Sequence, residues 1–177
     1  HHTSGFLAIH ACFLHATLGE YAAARRIYEA CEAVEAVRPS PERIARTYVV
    51  FHYMESPWFG PWQDSAAKLS HAIRLGVEAG DPVFAALCAS ASVTMLSLIG
   101  TPLDQLVSAI EGWGPLLRGD GGVAANAANI VNIAGKLSRG EPIVSGDLDR
   151  VTNVPLAAGP MRNNAMVNLG LALMVIG

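Results

Sequence analysis

Charge is the first thing this chain has little of. Of its 177 residues, 15% are Asp, Glu, Lys or Arg and 51% are hydrophobic, where an ordinary globular domain carries about 25% charged residues. Neither sign dominates. Twelve basic against fifteen acidic residues leave a net charge of −3, so no basic field invites nucleic acid or an anionic membrane surface. Cysteine is scarce too. Cys12, Cys31 and Cys88 are odd in number and far apart, without CxxC or Cys/His ligand spacing. That argues against a disulfide framework or a zinc site and suits a reducing cytoplasm. A membrane span is also missing. The longest stretch free of charged residues, Pro82 to Leu103, is interrupted by Ser90, Ser92, Thr94 and Ser97 and broken at Gly100-Thr101-Pro102, so it reads as buried helix. No secretory signal is visible at the start. Disorder is excluded as well, because so much apolar surface must be buried somewhere.

Catalytic signatures are absent in the same way. There is no P-loop, GxGxxG, HExxH or GxSxG. The Gly-rich stretch Gly119-Asp120-Gly121-Gly122 lacks the Lys and Ser/Thr of a phosphate cradle and reads as a turn. Six histidines are present, yet His10 and His15 are five apart, His52 and His71 fall on separate helices, and none forms an i, i+4 ligand pair. Glu29, Glu32 and Glu35 make a row at helical spacing, expected as a solvated face beside the i, i+4 pair Arg25–Glu29.

What is there is helix after helix, punctuated by Gly and Pro. Ser4 is a candidate cap for a first helix whose Phe6, Ile9, Phe13 and Leu14 recur at helical spacing. Gly19 ends it. The second, from Tyr21, carries a stripe of Ala24, Ile27, Tyr28, Cys31 and Val34. Pro39-Ser40-Pro41 breaks the chain, with Ser40 as cap and Pro41 at the first helical position. The third helix passes through Ile44, Tyr48, Phe51 and His52 to a break at Pro57–Pro61. A fourth starts near Asp64 and carries Leu69, Ala72, Ile73 and Val77. Gly80-Asp81-Pro82 turns into an uncharged fifth, and Gly100-Thr101-Pro102 into a sixth, LDQLVSAIEGWGPLL. A seventh (VAANAANIVNIAGKL), an irregular linker at 139–160 and an eighth helix from Arg162 to Ile176 complete the pass. The expectation is an all-α fold of about eight antiparallel helices, whose pairs repeat every 35–45 residues or so, a length typical of helix-hairpin solenoids.

Two resemblances give that expectation a name. LGEYAAARRIYEACEAV is similar to the second half of a tetratricopeptide repeat. Gly19 stands at the interhelix turn, Tyr21 and Ala24 open helix B, Tyr28 takes the aromatic position, and Cys31 and Cys12 stand where small residues are preferred. The Trp and Leu of helix A and the closing Pro are absent. The longer stretch ESPWFGPWQDSAAKLSHAIRLGVEAGDPVFA resembles the helical-repeat region of large multidomain bacterial signalling proteins. The matching residues are Trp58, Pro61, Leu75, Gly76, Glu78, Gly80, Asp81 and Ala85. RGEPIVSGDLDRV and NNAMVNLGLALMVIG are similar to the linker and following helix of that region. In that family the region follows a STAND-type ATPase module and accompanies kinase or sensory domains. The resemblance implies one TPR-like helical-repeat domain over 1–177, an α-α superhelix cut from a longer chain.

Two groups of residues stand out as partner-binding candidates. Trp58 and Trp62, with Phe59, cluster at a Pro/Gly break, as anchors for a partner or as a plug between hairpins. Asn126, Asn129 and Asn132 form an amide row along one helix, continued by Asn163, Asn164 and Asn168. In tetratricopeptide-like folds inward amides grip a bound peptide backbone; interhelical hydrogen bonding or a plain exposed polar edge are the alternatives. Together these features imply a cytoplasmic protein-interaction or sensory scaffold that binds a protein or peptide partner. Neighbouring ATPase or kinase domains would be its context, and an open solenoid end a route to a homodimer. No catalytic residue, metal or cofactor is assigned. The alternative is a helical domain with an apolar effector pocket behind Leu87, Met95 and Ile130. An all-α enzyme would require the scattered titratable groups to converge.

Overall fold

The computed structural model describes residues 3–117, 132–133, 135–137 and 139–147. Among them every element is a helix: α1 (Thr3–Leu18), α2 (Tyr21–Val37), α3 (Pro41–Val50), α4 (Trp62–Glu78), α5 (Pro82–Leu98) and α6 (Leu103–Leu117). The fold class is therefore all-α. No helix among the described residues is long and apolar enough to cross a membrane. The chain forms two compact units, His1–Met95 and Leu96–Gly177.

Turn chemistry cuts the first unit into hairpins, at nearly every point where Gly and Pro foretold it. Gly80-Asp81-Pro82 performs three tasks in three residues. Gly80 takes φ +69°, which a side chain would resist. The N–H groups of Gly80 and Asp81 then return to the carbonyls of Val77 (3.0 Å) and Gly76 (2.9 Å), closing α4. Asp81 Oδ1 accepts from the Phe84 N–H at 3.3 Å and caps α5, while Pro82 fills its first position. The same pair of closing bonds recurs at Gly100 and at Gly140. Ser40 caps α3 through the Arg43 N–H at 3.5 Å, ahead of Pro41.

Packing follows a nearest-neighbour order. α1 packs on α2 and on α3, and α3 packs on α4. Small residues line these contacts. Ala8, Ala11, Ala24 and Cys31 form a buried cluster with Phe51, and Leu7, Leu14, Ile27 and Tyr28 close over it. Cys88 Sγ donates to the Ala45 carbonyl at 3.4 Å and so places α5 against α3. Large residues are fewer but matter, since full burial of side chains such as Phe51 and Leu69 is worth about 1.5–3 kcal/mol each.

Several side chains depart from their expected places. Phe6, Ile9 and Phe13 face outward, Phe6 with 71% of its surface exposed, while Ser4, Ala8, Ala11 and His15 form the buried face of α1. The reason is steric: α1 is apolar nearly all round, so closeness of approach rather than hydrophobicity selects its inner face. Val34 on α2 and Val77 on α4 are exposed as well. Glu35 does not join a solvated row. It is 4% exposed, receives the Ser4 hydroxyl at 2.8 Å, and is held by two nitrogens of Arg43 at 3.1 and 3.2 Å. Ser4 therefore bonds across to α2 from inside α1, which begins at Thr3.

In the second unit, α6 buries Leu106 and Ile110. Asp147 is also buried there and receives the Asn132 amide (3.2 Å), the Lys136 ammonium (2.6 Å) and the Val144 N–H (3.1 Å). The Lys136 hydrogen bond foremost holds the Asp147 carboxyl below its ordinary range.

Candidate functional site

Among the described residues of the first unit, two concavities lie on different rows of helices. The first is a groove of about 290 Å³ that crosses α1, α3 and α5. Phe6 and Ile9 form one wall, Val50 and Thr47 the floor, and Phe84 the far side. Its two arginines are already spoken for. Arg43 is bound to Glu35 and to the Arg38 carbonyl. Arg46 bridges Glu42 and Asp81, each at 2.9 Å, with its guanidinium 5.1 Å from the centre of the Phe84 ring. The groove is thus apolar with neutralised edges. Phe6 and Ile9 are available to it because small residues occupy the helix contacts behind them.

The second is a cleft of about 510 Å³ between α2, α4 and the segment joining α3 to α4. That segment begins as a widened, π-type turn over Phe51–Glu55 and tightens to a 3-10 turn over Ser56–Trp58. Such an inserted turn re-aims the side chains that follow it. Here it buries His52 to 1% exposure, edge-on to the rings of Tyr48 (4.6 Å) and Tyr28 (5.8 Å). His52 Nδ1 bonds Ser56 Oγ at 3.2 Å, and Ser56 bonds Ser65. Burial first, and the Lys68 ammonium second, push the His52 pKa down to about 3, so the ring is neutral at pH 7. Lys68 pairs with Glu32 and reaches the Tyr28 hydroxyl at 3.5 Å. Arg25 pairs with Glu29 at 2.9 Å on the rim. Burial first, then the charge of Glu32, raises the Tyr28 pKa and keeps its phenol protonated. Among the described residues no group of three or more His, Cys, Asp and Glu could hold a metal ion. Cys31 and Cys88 are buried, and burial foremost pushes their thiols up to about 11 and about 12.

The expected site residues that are described, Trp58, Trp62 and Asn132, line neither concavity. Trp58 is 69% exposed and meets the His15 ring edge-on at 5.2 Å, with Tyr21 on the same imidazole at 4.7 Å. Trp62 opens α4 and is partly exposed. Asn132 spends its amide on Asp147. Asn126, Asn129, Asn163, Asn164, Asn168 and Ile130 lie outside the described residues, as do the turn at Gly119–Gly122 and the eighth helix. Of the residues assigned to the alternative effector pocket, Met95 is buried and Leu87 half-buried. The groove and the cleft were both missed by reading the sequence. Each draws on three separate elements, and the only local signal was the apolar run of α1. No family model, no curated protein and no solved structure matches this chain.

Proposed function

We propose that the chain is a tetratricopeptide-like solenoid segment, an interaction scaffold that binds a protein or peptide along the row α1, α3, α5. The groove carries this reading: alternate helices lie side by side and present Phe6, Ile9 and Phe84 across a single concavity. The hairpin order and the small-residue contacts agree with a repeat architecture, in which each unit touches its neighbours. The resemblance to the repeat region of bacterial signalling proteins adds a context. There the scaffold would couple a partner's arrival to neighbouring ATPase or kinase domains, without chemistry of its own. Because Arg43 and Arg46 are both paired, affinity would come from apolar side chains and depend weakly on salt.

The test is panning of a random peptide library on the immobilised chain. Enriched peptides should carry apolar side chains, and a Phe6→Asp, Ile9→Asp double variant should weaken them by about tenfold or more, since each buried apolar side chain is worth about 1.5–3 kcal/mol. Both residues are exposed, so the variant keeps its fold. Enriched peptides that bind the variant and the unchanged chain equally well would sink the reading. Self-association lost in the same variant, read by sedimentation, would give the groove to a second copy of this chain.

A further inference from the structure

The cleft beside the π-type turn plays no part in that groove, and its charges do not cancel. Arg25 is matched by Glu29 and Lys68 by Glu32, which leaves the Asp64 carboxylate, in the first turn of α4, as the net charge of the lining without an ion-pair partner. The Tyr28 hydroxyl registers that field, since Asp64 is among the charges that raise its pKa after burial and Glu32. The rings of Tyr28 and Phe59 supply apolar wall. His52, whose ring lines the cleft, carries in its Nε2 the one buried side-chain nitrogen or oxygen without a hydrogen-bond partner among the described residues. An unfilled lone pair costs less than a buried, unpaired N–H. The favoured arrangement therefore has Nδ1–H donating to Ser56 and Ser56 donating on to Ser65, with Nε2 left as a bare acceptor. The surplus of acceptors and the surplus of negative charge ask for the same thing.

We propose that this cleft binds a small organic cation bearing a primary ammonium, with Asp64 as counter-ion, Tyr28 and Phe59 as ring walls, and the His52–Ser56–Ser65 chain as its hydrogen-bonding floor. The chain already houses one such group there. The Lys68 ammonium sits on Glu32, near the Tyr28 hydroxyl and 5.8 Å from the centre of the Tyr48 ring. Carboxylates and aromatic faces favour ammonium ions together, and the volume lies within the usual range for small-molecule sites. An anion would meet the net negative lining, and a neutral polyol would leave Asp64 uncompensated.

Calorimetric titration with cadaverine tests this, with pentanediol and glutarate as the neutral and anionic probes of the same length. Cadaverine should bind saturably and the other two should not. Asp64→Asn should weaken cadaverine by about tenfold, the loss of one close charge pair. Asp64 is exposed, and an unchanged melting curve would show that the variant folds. Lys68→Ala should tighten cadaverine several-fold, because it removes the internal competitor and frees Glu32; a structural defect would do the reverse. The Phe6→Asp, Ile9→Asp variant should bind cadaverine normally, so the two sites fail separately. Absence of saturable cadaverine binding, equal binding of pentanediol, or an Asp64→Asn variant with unchanged affinity would each overturn the proposal.

Discussion

Two seams in the first unit are built on opposite rules, although α4 takes part in both. Against α5, α4 turns Gly76. A Cβ placed there would stand 3.0 Å from Ala85 Cβ and 3.1 Å from both the backbone nitrogen and Cα of Ala85. The two helices touch backbone to backbone, and no space remains. Against α2, α4 turns Lys68 and Ser65 toward Tyr28, Glu32 and His52, and large side chains hold the helices apart around about 510 Å³. Small residues give closeness without specificity of chemistry. Large polar residues on a widened turn give a cavity whose walls carry charge and hydrogen-bonding groups. The two seams of α4 thus differ in kind: one fixes the distance between helices, and the other leaves a polar cavity.

The largest expected effect breaks the tight seam. Gly76→Val should cost about 3 kcal/mol, the upper part of the usual overpacking range, because the new methyls meet backbone that cannot rotate away. Urea unfolding gives the number. Should that variant fail to fold, Gly76→Ala serves instead. Alanine favours helix over glycine by about 1 kcal/mol, so the contact costs the net loss in that variant plus that amount. A valine variant as stable as the unchanged chain would show that the seam has slack.

A smaller effect comes from the floor of the open seam. The His52 pKa falls from 6.5 to about 3 on folding, so between those values the unfolded chain holds a proton that the folded chain lacks. The stability contributed by the neutral ring is complete above pH 6.5. It falls as the pH drops below that value, at most by about 1.4 kcal/mol per pH unit for one proton. The groups facing the ring are the Lys68 ammonium, Ser56 and the rings of Tyr28 and Tyr48. His52→Gln should flatten the dependence of the unfolding midpoint between neutral pH and about pH 5, before carboxylates titrate. Identical slopes in both proteins would place the titration elsewhere.

This contrast explains how far the sequence could be read. Gly, Pro and Ser act on their own few residues, so Gly19, Ser40-Pro41, Gly80-Asp81-Pro82 and Gly100 set the ends of the helices from α1 to α6, and the all-α fold was legible from them. The facing of α1 was not, because Phe6, Ile9 and Phe13 satisfy a helical period as well as Ala8 and Ala11 do, and only the partner's distance decides between them. Glu35 looked like its neighbours Glu29 and Glu32 because its partners, Arg43 and Ser4, lie on other helices. The cleft was hidden more deeply. Nothing in FHYME announces a π-type turn, and without it His52 has no particular reason to meet Ser56 and Tyr28. Local rules cut the helices; contacts among three elements made the sites.

The smallest expected effect sharpens the same comparison with the same atom. Gly60 lines the cleft in the segment just before α4, where an added Cβ meets nothing within 4 Å and the backbone φ is outside the left-handed region. Its N–H bond to the Ser56 carbonyl, at 3.0 Å, does not involve the α-carbon substituent. Gly60→Ala should therefore stabilise the fold, by about 0.4–1 kcal/mol, because alanine narrows the unfolded ensemble while the folded state has room for it. One methyl added at the open cleft and one at the tight seam should thus act with opposite sign, and paired urea titrations of Gly60→Ala and Gly76→Ala read both. If both variants lose stability, the cleft is as closely packed as the seam, and the space assigned to a ligand would be filled by the chain itself.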